Sequence, residues 1–282
     1  MLSVYPGASS FCEITRHLRA IRRHRAKPGY IAGFSLLAAL LTCLPATAAP
    51  KEYIVAVESI DYMPLYDSSD RGAYHGYARD LLDLFARKYG YKLSYVPLPV
   101  NRLYREFFVN EYYDFKFPDN PNWQQESKTG RSVIYSDPVI TVNEGIFVPA
   151  PRLGKGMESI KSIATITGFT PTPYLPAINS GKIKLYSVDS FQSLFKMSTI
   201  NRVDGIYTNN FSVQYFQSTA ANGKIHLEMD ASLPKIASPF SLSTLKHPLV
   251  IQQFNQFLLA EHAEIMVLKG KYHVLEDATT EK

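Results

Sequence analysis

The sequence predicts an α/β protein of two lobes that are joined by two crossing strands. Extended, β-branched segments alternate with segments of helical spacing, an order typical of α/β proteins with largely parallel sheets. Residues 131–149 form a long apolar run that is interrupted once, by Asp137-Pro138. A second extended segment, near residues 236–242, could carry the chain back. Two lobes connected in this way would place a ligand cleft between them.

The first 48 residues have the three zones of a secretory signal peptide. Their basic side chains outnumber their one acid and account for the net charge of +5 of the 282-residue chain. An apolar run at residues 31–44 and a small-residue site at Ala46-Thr47-Ala48 follow. We expect export to the periplasm, with an uncleaved anchor as the alternative. The neutral remainder does not favour a nucleic-acid partner.

Both cysteines, Cys12 and Cys43, lie inside this leader. A mature chain that begins near Ala49 would therefore contain neither a disulfide bond nor a thiol nucleophile. Lipidation of Cys43 is a minor alternative, because Thr42 is a poor residue before such a cleavage site.

The first part of the mature chain alternates strands with helices. Residues 53–58 predict a buried strand, and residues 77–89 have the apolar spacing of a helix that ends at Gly90. Further strands are expected at residues 93–98 and 114–118, with a helix between them. The loops after the strands are candidates for ligand binding, because ligands sit beyond the carboxyl ends of parallel strands.

The second part repeats this alternation with shorter elements. A short helix or turn and then a strand are expected within residues 160–166, and further strands at residues 184–188 and 203–207. Asp189 and Gln192 predict a capping box at the start of a helix. After the return strand, a last helix begins at Pro248, and residues 271–282 predict a loose tail because they lack an apolar pattern. The predicted boundaries are lobe 1 at residues 49–146 and 237–282, and lobe 2 at residues 147–236.

Four segments together resemble periplasmic solute-binding proteins of the polar amino-acid type, the extracellular solute-binding family 3 that serves ABC importers. The segments are SIDYMPLY, GYARDLLDLFARKYG, YSDPVITVNEGIFV and VDSFQSLFKMSTINRVDGIYTN. The resemblance implies a type II periplasmic-binding fold, a ligand between two lobes, a membrane permease as partner, and a monomer. It covers nearly the whole mature chain as an order of elements.

Two positions depart from the pattern of that family. In amino-acid binders, an arginine near the end of the first crossing strand takes the ligand carboxylate, and the corresponding residue here is Gly145. An acid after the strand ending in the DG motif takes the ligand ammonium, and the corresponding residue here is Asn209. A free α-amino acid is therefore not the expected ligand, and a polar or amino-acid-like molecule is.

The predicted binding residues come from four loops and from the first crossing strand. Aromatic residues could form a box for an apolar, cyclic or cationic ligand, while charged and neutral side chains could supply polar contacts. Surface, packing, salt-bridge and turn roles are the alternatives for these residues. The candidates are Asp61, Tyr62, Tyr66, Trp123, Arg131, Glu144, Thr170, Thr172 and Asn209.

Catalysis has less support than binding. The histidines have no metal-binding spacing, and neither a nucleophile elbow nor a phosphate-binding loop is present in the sequence. We therefore expect no cofactor, no metal and no catalytic residues. Two alternatives stay open: a periplasmic sensor that reports its ligand to a membrane receptor, and a dehydratase-like enzyme in which Asp61, Asp119 and Glu144 converge.

Overall fold

The computed structural model of the chain describes residues 49–68, 74–219 and 226–276. The predicted signal peptide, both cysteines and the last six residues lie outside the described residues. In the described ranges, no helix combines the length and the apolar character that are needed to cross a bilayer.

Twelve strands are present in the described part of the chain. In chain order they are β1 (Lys51–Glu58), β2 (Asp61–Tyr62), β3 (Tyr66–Asp67), β4 (Tyr91–Leu98), β5 (Phe115–Asp119), β6 (Ile134–Tyr135), β7 (Ile140–Pro149), β8 (Ser162–Ile166), β9 (Lys184–Val188), β10 (Gly205–Asn209), β11 (Leu227–Met229) and β12 (Ile236–Thr244).

Eight α-helices accompany these strands in the same ranges. They are α1 (Tyr77–Tyr89), α2 (Val100–Tyr104), α3 (Gln125–Lys128), α4 (Leu175–Asn179), α5 (Phe191–Thr199), α6 (Asn210–Thr219), α7 (Pro248–Ala260) and α8 (His262–Lys271). A π-helical turn, Arg105–Val109, continues α2, and short 3₁₀ turns occur at Ala150–Arg152, Met157–Ser159 and Thr172–Tyr174.

The main sheet contains two groups of parallel strands with two long antiparallel strands between them. Its order is β4-β1-β5-β12-β7-β10-β8-β9. The pairs of β1 with β4 and β5 are parallel, and so are the pairs of β8 with β9 and β10. Both β12 and β7 run antiparallel to their neighbours and connect the two groups. This is the predicted two-lobed α/β fold with two crossing strands.

Amphipathic helices and apolar strands explain the core of the first strand group. Leu81 and Phe85 of α1 are buried, and the helix ends at Gly90, whose φ of 69° favours glycine. Val55 and Val57 of β1, which lies between β4 and β5 in the sheet, are buried. These elements appear where the spacing of apolar residues predicts them.

The first crossing segment is two strands rather than one. β6 pairs with the end of β12, and β7 pairs with its beginning. Pro138 lies between β6 and β7 and has no N–H to donate to a neighbouring strand. The N–H of Asp137, the residue before it, donates to the side chain of Asn255 at 2.9 Å. The strand that connects the two groups therefore begins at Ile140, after the proline.

Two further predictions need correction. The cap of α5 is Ser190, whose hydroxyl accepts from the Ser193 N–H at 3.2 Å, while Asp189 accepts from the Thr167 hydroxyl at 2.7 Å. The predicted tail is packed as far as it is described: Val274 is buried, and Glu276 accepts from the Thr141 N–H at 2.8 Å. One buried apolar side chain and one polar contact therefore hold this segment without a periodic pattern.

Candidate ligand-binding site

A cavity lies where the strand ends of both groups meet the two long strands. It receives side chains from β1, β2, β3, β7, β10 and β12 and from the loops after β5 and β8, as expected for the carboxyl ends of parallel strands. Its lining residues are Glu58, Tyr62, Tyr66, Val100, Tyr104, Trp123, Gln124, Glu144, Gly168, Phe169, Thr170, Tyr207 and Phe240.

The two sides of the cavity are in contact. The rings of Tyr62 and Phe169 meet edge to face, with centroids 5.2 Å apart. The Gln124 side-chain amide donates to the Gly168 carbonyl oxygen at 3.3 Å. The remaining volume is about 30 Å³, which holds about two water molecules. In this conformation the cleft is closed, and a larger molecule would need it to open.

Glu58 places one carboxylate in the cavity from the last position of β1. The side chain is buried, and its Oε2 accepts from the Tyr66 hydroxyl at 2.5 Å. Burial raises the pKa of Glu58 because the charged form loses its hydration, and the positive charge of Lys116 opposes this shift. The electrostatic state of Glu58 is therefore set by a balance between burial and a nearby lysine.

Glu144 places a second carboxylate in the cavity from β7. Its Oε2 accepts from the Ser238 hydroxyl at 2.6 Å and from the Tyr207 hydroxyl at 3.4 Å. Burial raises the pKa of Glu144 to about 7, the two hydrogen bonds oppose the shift, and the charge of Glu58 adds to it. A carboxyl group with such a pKa exchanges its proton near neutral pH.

Two lysines lie behind the aromatic wall of the cavity and share one carboxylate. Asp119 Oδ1 accepts from Lys116 Nζ at 3.3 Å and from Lys128 Nζ at 2.9 Å. Lys116 Nζ also lies 4.4 Å from the centroid of the Tyr104 ring. Neither lysine is among the described residues that line the cavity, and no arginine is among them.

Tyr62 contributes a buried hydroxyl group to the site. Its side chain is 1% exposed, and within the described structure its hydroxyl makes no hydrogen bond of standard geometry. Burial raises the pKa of Tyr62, so the hydroxyl stays protonated. Asn209 and Thr208 lie close enough to oppose this rise in pKa, but neither makes a hydrogen bond of standard geometry with the hydroxyl, so it can donate to or accept from a ligand group at small cost.

Five of the nine residues predicted from the sequence line this cavity. They are Tyr62, Tyr66, Trp123, Glu144 and Thr170. The predicted aromatic box and one predicted carboxylate are thus brought together in one place. Ligand contact by each of these residues stays a prediction.

The other four predicted residues lie outside the lining. Asp61 lies beside a separate groove, and Arg131 forms an ion pair with Glu111 at 3.0 Å. Thr172 donates its hydroxyl to the Thr170 carbonyl oxygen at 3.3 Å. Asn209 is buried and accepts from the Ser212 N–H at 3.0 Å, the geometry of a helix cap.

Sequence reasoning missed several lining residues, including Glu58, Tyr104 and Tyr207. Glu58 carried a usable signal, since an acid that closes an apolar parallel strand lies at the edge where ligands bind. The family position assigned to Gly145 was less useful. A side chain there would meet Met229 at 3.3 Å and Lys235 at 3.4 Å, and it is the preceding residue, Glu144, that lines the cavity.

Metal ligation has no support in the described residues, where no group of three His, Cys, Asp or Glu side chains could hold an ion. Comparison by sequence finds no matching protein-family model and no matching curated protein.

Comparison by structure finds many similar proteins. An ancestral amino-acid-binding protein, AncCDT-1, described as a precursor of cyclohexadienyl dehydratase, has 19% sequence identity and a TM-score of 0.59 over 78% of this chain and 95% of its own. The GluR0 ligand-binding core in complex with L-glutamate has 12% identity and a TM-score of 0.64 over 80% and 99%.

A third similar structure is an arginine transport system periplasmic binding protein from Legionella pneumophila. It has 15% identity and a TM-score of 0.58, over 79% of this chain and 99% of its own. The chain spans nearly the full length of all three proteins. It therefore has the two-lobed fold of amino-acid-binding periplasmic proteins, as the sequence resemblance predicted.

Proposed function

We propose that this protein is an exported solute-binding protein that captures a small polar molecule between its two lobes and presents it to an ABC importer. The observation that carries the proposal is the cavity itself, which is bounded by both strand groups and by both long strands. A ligand held there contacts both lobes at once, so it stabilises the closed form by its higher affinity for that form.

The proposal includes the finer predictions made from the sequence. Residues 1–48 act as a signal peptide, the lobes divide near residues 146 and 237, and the mature protein is a periplasmic monomer. Its partners are the small-molecule ligand and a membrane permease. The same closed surface could also dock on a membrane receptor, so a ligand sensor stays the alternative. A neighbouring permease gene would favour transport, and a neighbouring signalling gene would favour sensing.

An enzyme is a second candidate because one observation favours it. Glu144 is buried and has a pKa of about 7, which suits proton transfer at neutral pH. One of the similar structures is also described as the precursor of a dehydratase. Against a cyclic carboxylic acid as substrate stands the lack of a lysine or arginine among the described lining residues.

A thermal-shift screen of the purified protein tests capture. The solutes should include amino acids, amines, short peptides, sugars and carboxylic acids. A ligand present at a hundred times its Kd stabilises the folded state by about 2.7 kcal/mol, which raises the melting temperature by several degrees. Stabilisation by one class, without turnover of the solute, supports the proposal. A flat result across all classes would contradict it.

A further inference from the structure

The charges around the cavity identify the class of ligand, on the basis of the capture function proposed above. We propose that the ligand is a small organic cation that carries N–H donors and has no carboxylate, which describes an amine or a guanidine. Three features of the described residues support this assignment: the arrangement of acids and lysines, the aromatic walls, and the composition of the lining.

The acids near the cavity outnumber the lysines. Glu58, Asp119 and Glu144 are buried, and the amines beside them are the buried Lys116 and the partly buried Lys128, both bonded to Asp119. If all five groups are ionised, the cluster lacks one positive charge. Burying a carboxylate without an opposite charge is costly, so a cationic ligand would supply the positive charge that the protein side chains lack.

Glu144 is the group that the ligand would pair with. Among the described residues, it makes hydrogen bonds with Tyr207 from β10 and Ser238 from β12 and interacts electrostatically with Glu58 from β1 and Tyr62 from β2, and none of these four is a cation. A carboxylate has more acceptor sites than the two hydroxyl donors occupy. Donation by a ligand N–H group would form a charge-assisted hydrogen bond, which is stronger than a neutral one.

The aromatic walls suit the same ligand. Tyr62, Tyr104, Trp123 and Tyr207 all line the cavity, and the faces of such rings attract cations. The Tyr62 hydroxyl oxygen is available to accept from an N–H group. Because the pairing with Glu144 needs N–H donors, a quaternary ammonium ion should bind less well than a primary amine.

The described lining offers no partner for a carboxylate. It contains two acids and neither arginine nor lysine. A ligand carboxylate would lie close to Glu58 or Glu144 and would lose its hydration without gaining an opposite charge. An amino acid should therefore bind much more weakly than the amine that remains after its carboxylate is removed.

Calorimetric titration with matched pairs tests this assignment. The pairs are agmatine with arginine, cadaverine with lysine, and tyramine with tyrosine, and tetramethylammonium serves as the quaternary probe. We expect at least one amine to bind at least a hundredfold more tightly than its parent amino acid and more tightly than tetramethylammonium. Equal or tighter binding of an amino acid would overturn the assignment.

The outcomes separate this inference from the proposed function. Binding of amino acids, sugars or dicarboxylic acids, without amines, would overturn the cationic assignment and leave capture in place. Failure of every solute class would overturn both.

Matched variants test the role of Glu144 in recognition. The Glu144→Gln variant keeps the shape of the side chain and removes its charge, so we expect at least a tenfold loss of amine affinity. Glu261→Gln removes a carboxylate from an ion pair with Lys88 on the helices, at 3.0 Å, and should leave affinity unchanged. Unchanged affinity in a folded Glu144→Gln protein would contradict the pairing.

Discussion

Ser238 on β12 donates its hydroxyl to the carboxylate of Glu144 on β7, with 2.6 Å between the two oxygens. The bond joins the two long strands that connect the strand groups, and it lies at the wall of the cavity. The carboxylate proposed to bind the ligand, that of Glu144, therefore belongs to one of the two strands that would act as the hinge between the lobes. Binding at Glu144 and closure of the cleft are expected to be linked through this contact.

The stability of the ligand-free protein should fall as the pH rises through the range in which Glu144 titrates. Its pKa is about 7 in the folded protein and 4.5 as the ordinary value. The unfolded chain therefore loses this proton first, and stability contributed below pH 4.5 is lost by about pH 7. The loss is on the order of 3 kcal/mol.

Glu144→Gln should remove the contribution of Glu144, which leaves a weaker pH dependence that includes the buried Glu58, and should raise the melting temperature of the ligand-free protein at pH 8. Denaturant unfolding at pH 5 and pH 8 measures both effects, with Glu261→Gln as the control that keeps the wild-type profile. A Glu144→Gln protein that is less stable than wild type at pH 8 would show that the buried carboxylate is already compensated.

Tyr62→Phe should leave the ligand-free protein as stable as wild type. The Tyr62 hydroxyl makes no hydrogen bond of standard geometry within the described structure, so its removal loses no bond. Tyr174→Phe is the matched control, because that hydroxyl donates to the Pro234 carbonyl oxygen at 2.6 Å and its removal should cost about 1 kcal/mol. Chemical unfolding compares the two, and an equal cost would contradict the assignment.

Gly168→Ala should hinder closure of the cleft. A Cβ atom at Gly168 would lie 2.7 Å from the Cβ of Val100, which belongs to the opposite side of the cavity. We expect at least a tenfold loss of ligand affinity and a smaller ligand-induced decrease in the radius of gyration, measured by small-angle X-ray scattering.

Gly154→Ala is the control for the backbone strain that the Gly168→Ala substitution introduces. Gly154 has a φ of 70°, compared with 92° at Gly168, and a Cβ there would meet nothing within 4 Å. It should bear a similar conformational cost without the steric clash. If both variants lose affinity equally, strain rather than closure explains the effect.

Asp204→Asn should destabilise the second strand group without changing ligand affinity. The Asp204 carboxylate accepts from the N–H groups of Lys161 and Ser162 at 2.9 and 2.8 Å, and from Arg152 at 2.7 Å. Although burial opposes it, these bonds lower the pKa of Asp204. Replacement should cost about 2 kcal/mol near neutral pH.

The pH profile provides a second readout for Asp204. Because its folded-state pKa is depressed, its contribution is present above the ordinary value of 3.8 and is lost as the pH falls through the lower, folded-state pKa. Asp189→Asn affects a single bond from Thr167, so it should lower the free energy of unfolding by less than Asp204→Asn does. Equal destabilisation by the two substitutions would contradict the account.

Much of the fold could be predicted because local patterns agree with the tertiary structure. The helical spacing that ends at Gly90 and the strand expected at residues 184–188 match the observed α1 and β9 closely. The helix α6 was missed because it starts directly at the end of β10, where Asn209 and Asn210 indicate a turn. The interruption before β7 was visible in the sequence as Asp137-Pro138, but the pairing of both β6 and β7 with β12 depends on long-range contacts, which no local pattern reveals.

The site was predictable only in part, for a related reason. Loop position identified Tyr62 and Trp123, since the carboxyl ends of parallel strands converge. It did not identify Tyr207, which reaches the cavity from within a strand, and it could not show that Arg131 pairs with Glu111 instead. Which side chain of a strand faces a cavity depends on register, and a shift of one residue separates Gly145 from Glu144.

A crystal structure of the protein with the solute that stabilises it most strongly would test the central claim directly. We predict that the ligand lies between the two sides of the cleft, among Tyr62, Trp123 and Tyr207, in a cavity larger than the one in the present structure, with a ligand nitrogen within about 3 Å of a Glu144 carboxylate oxygen. A ligand that lies instead in the separate groove beside Asp61, with the central cavity empty, would contradict it.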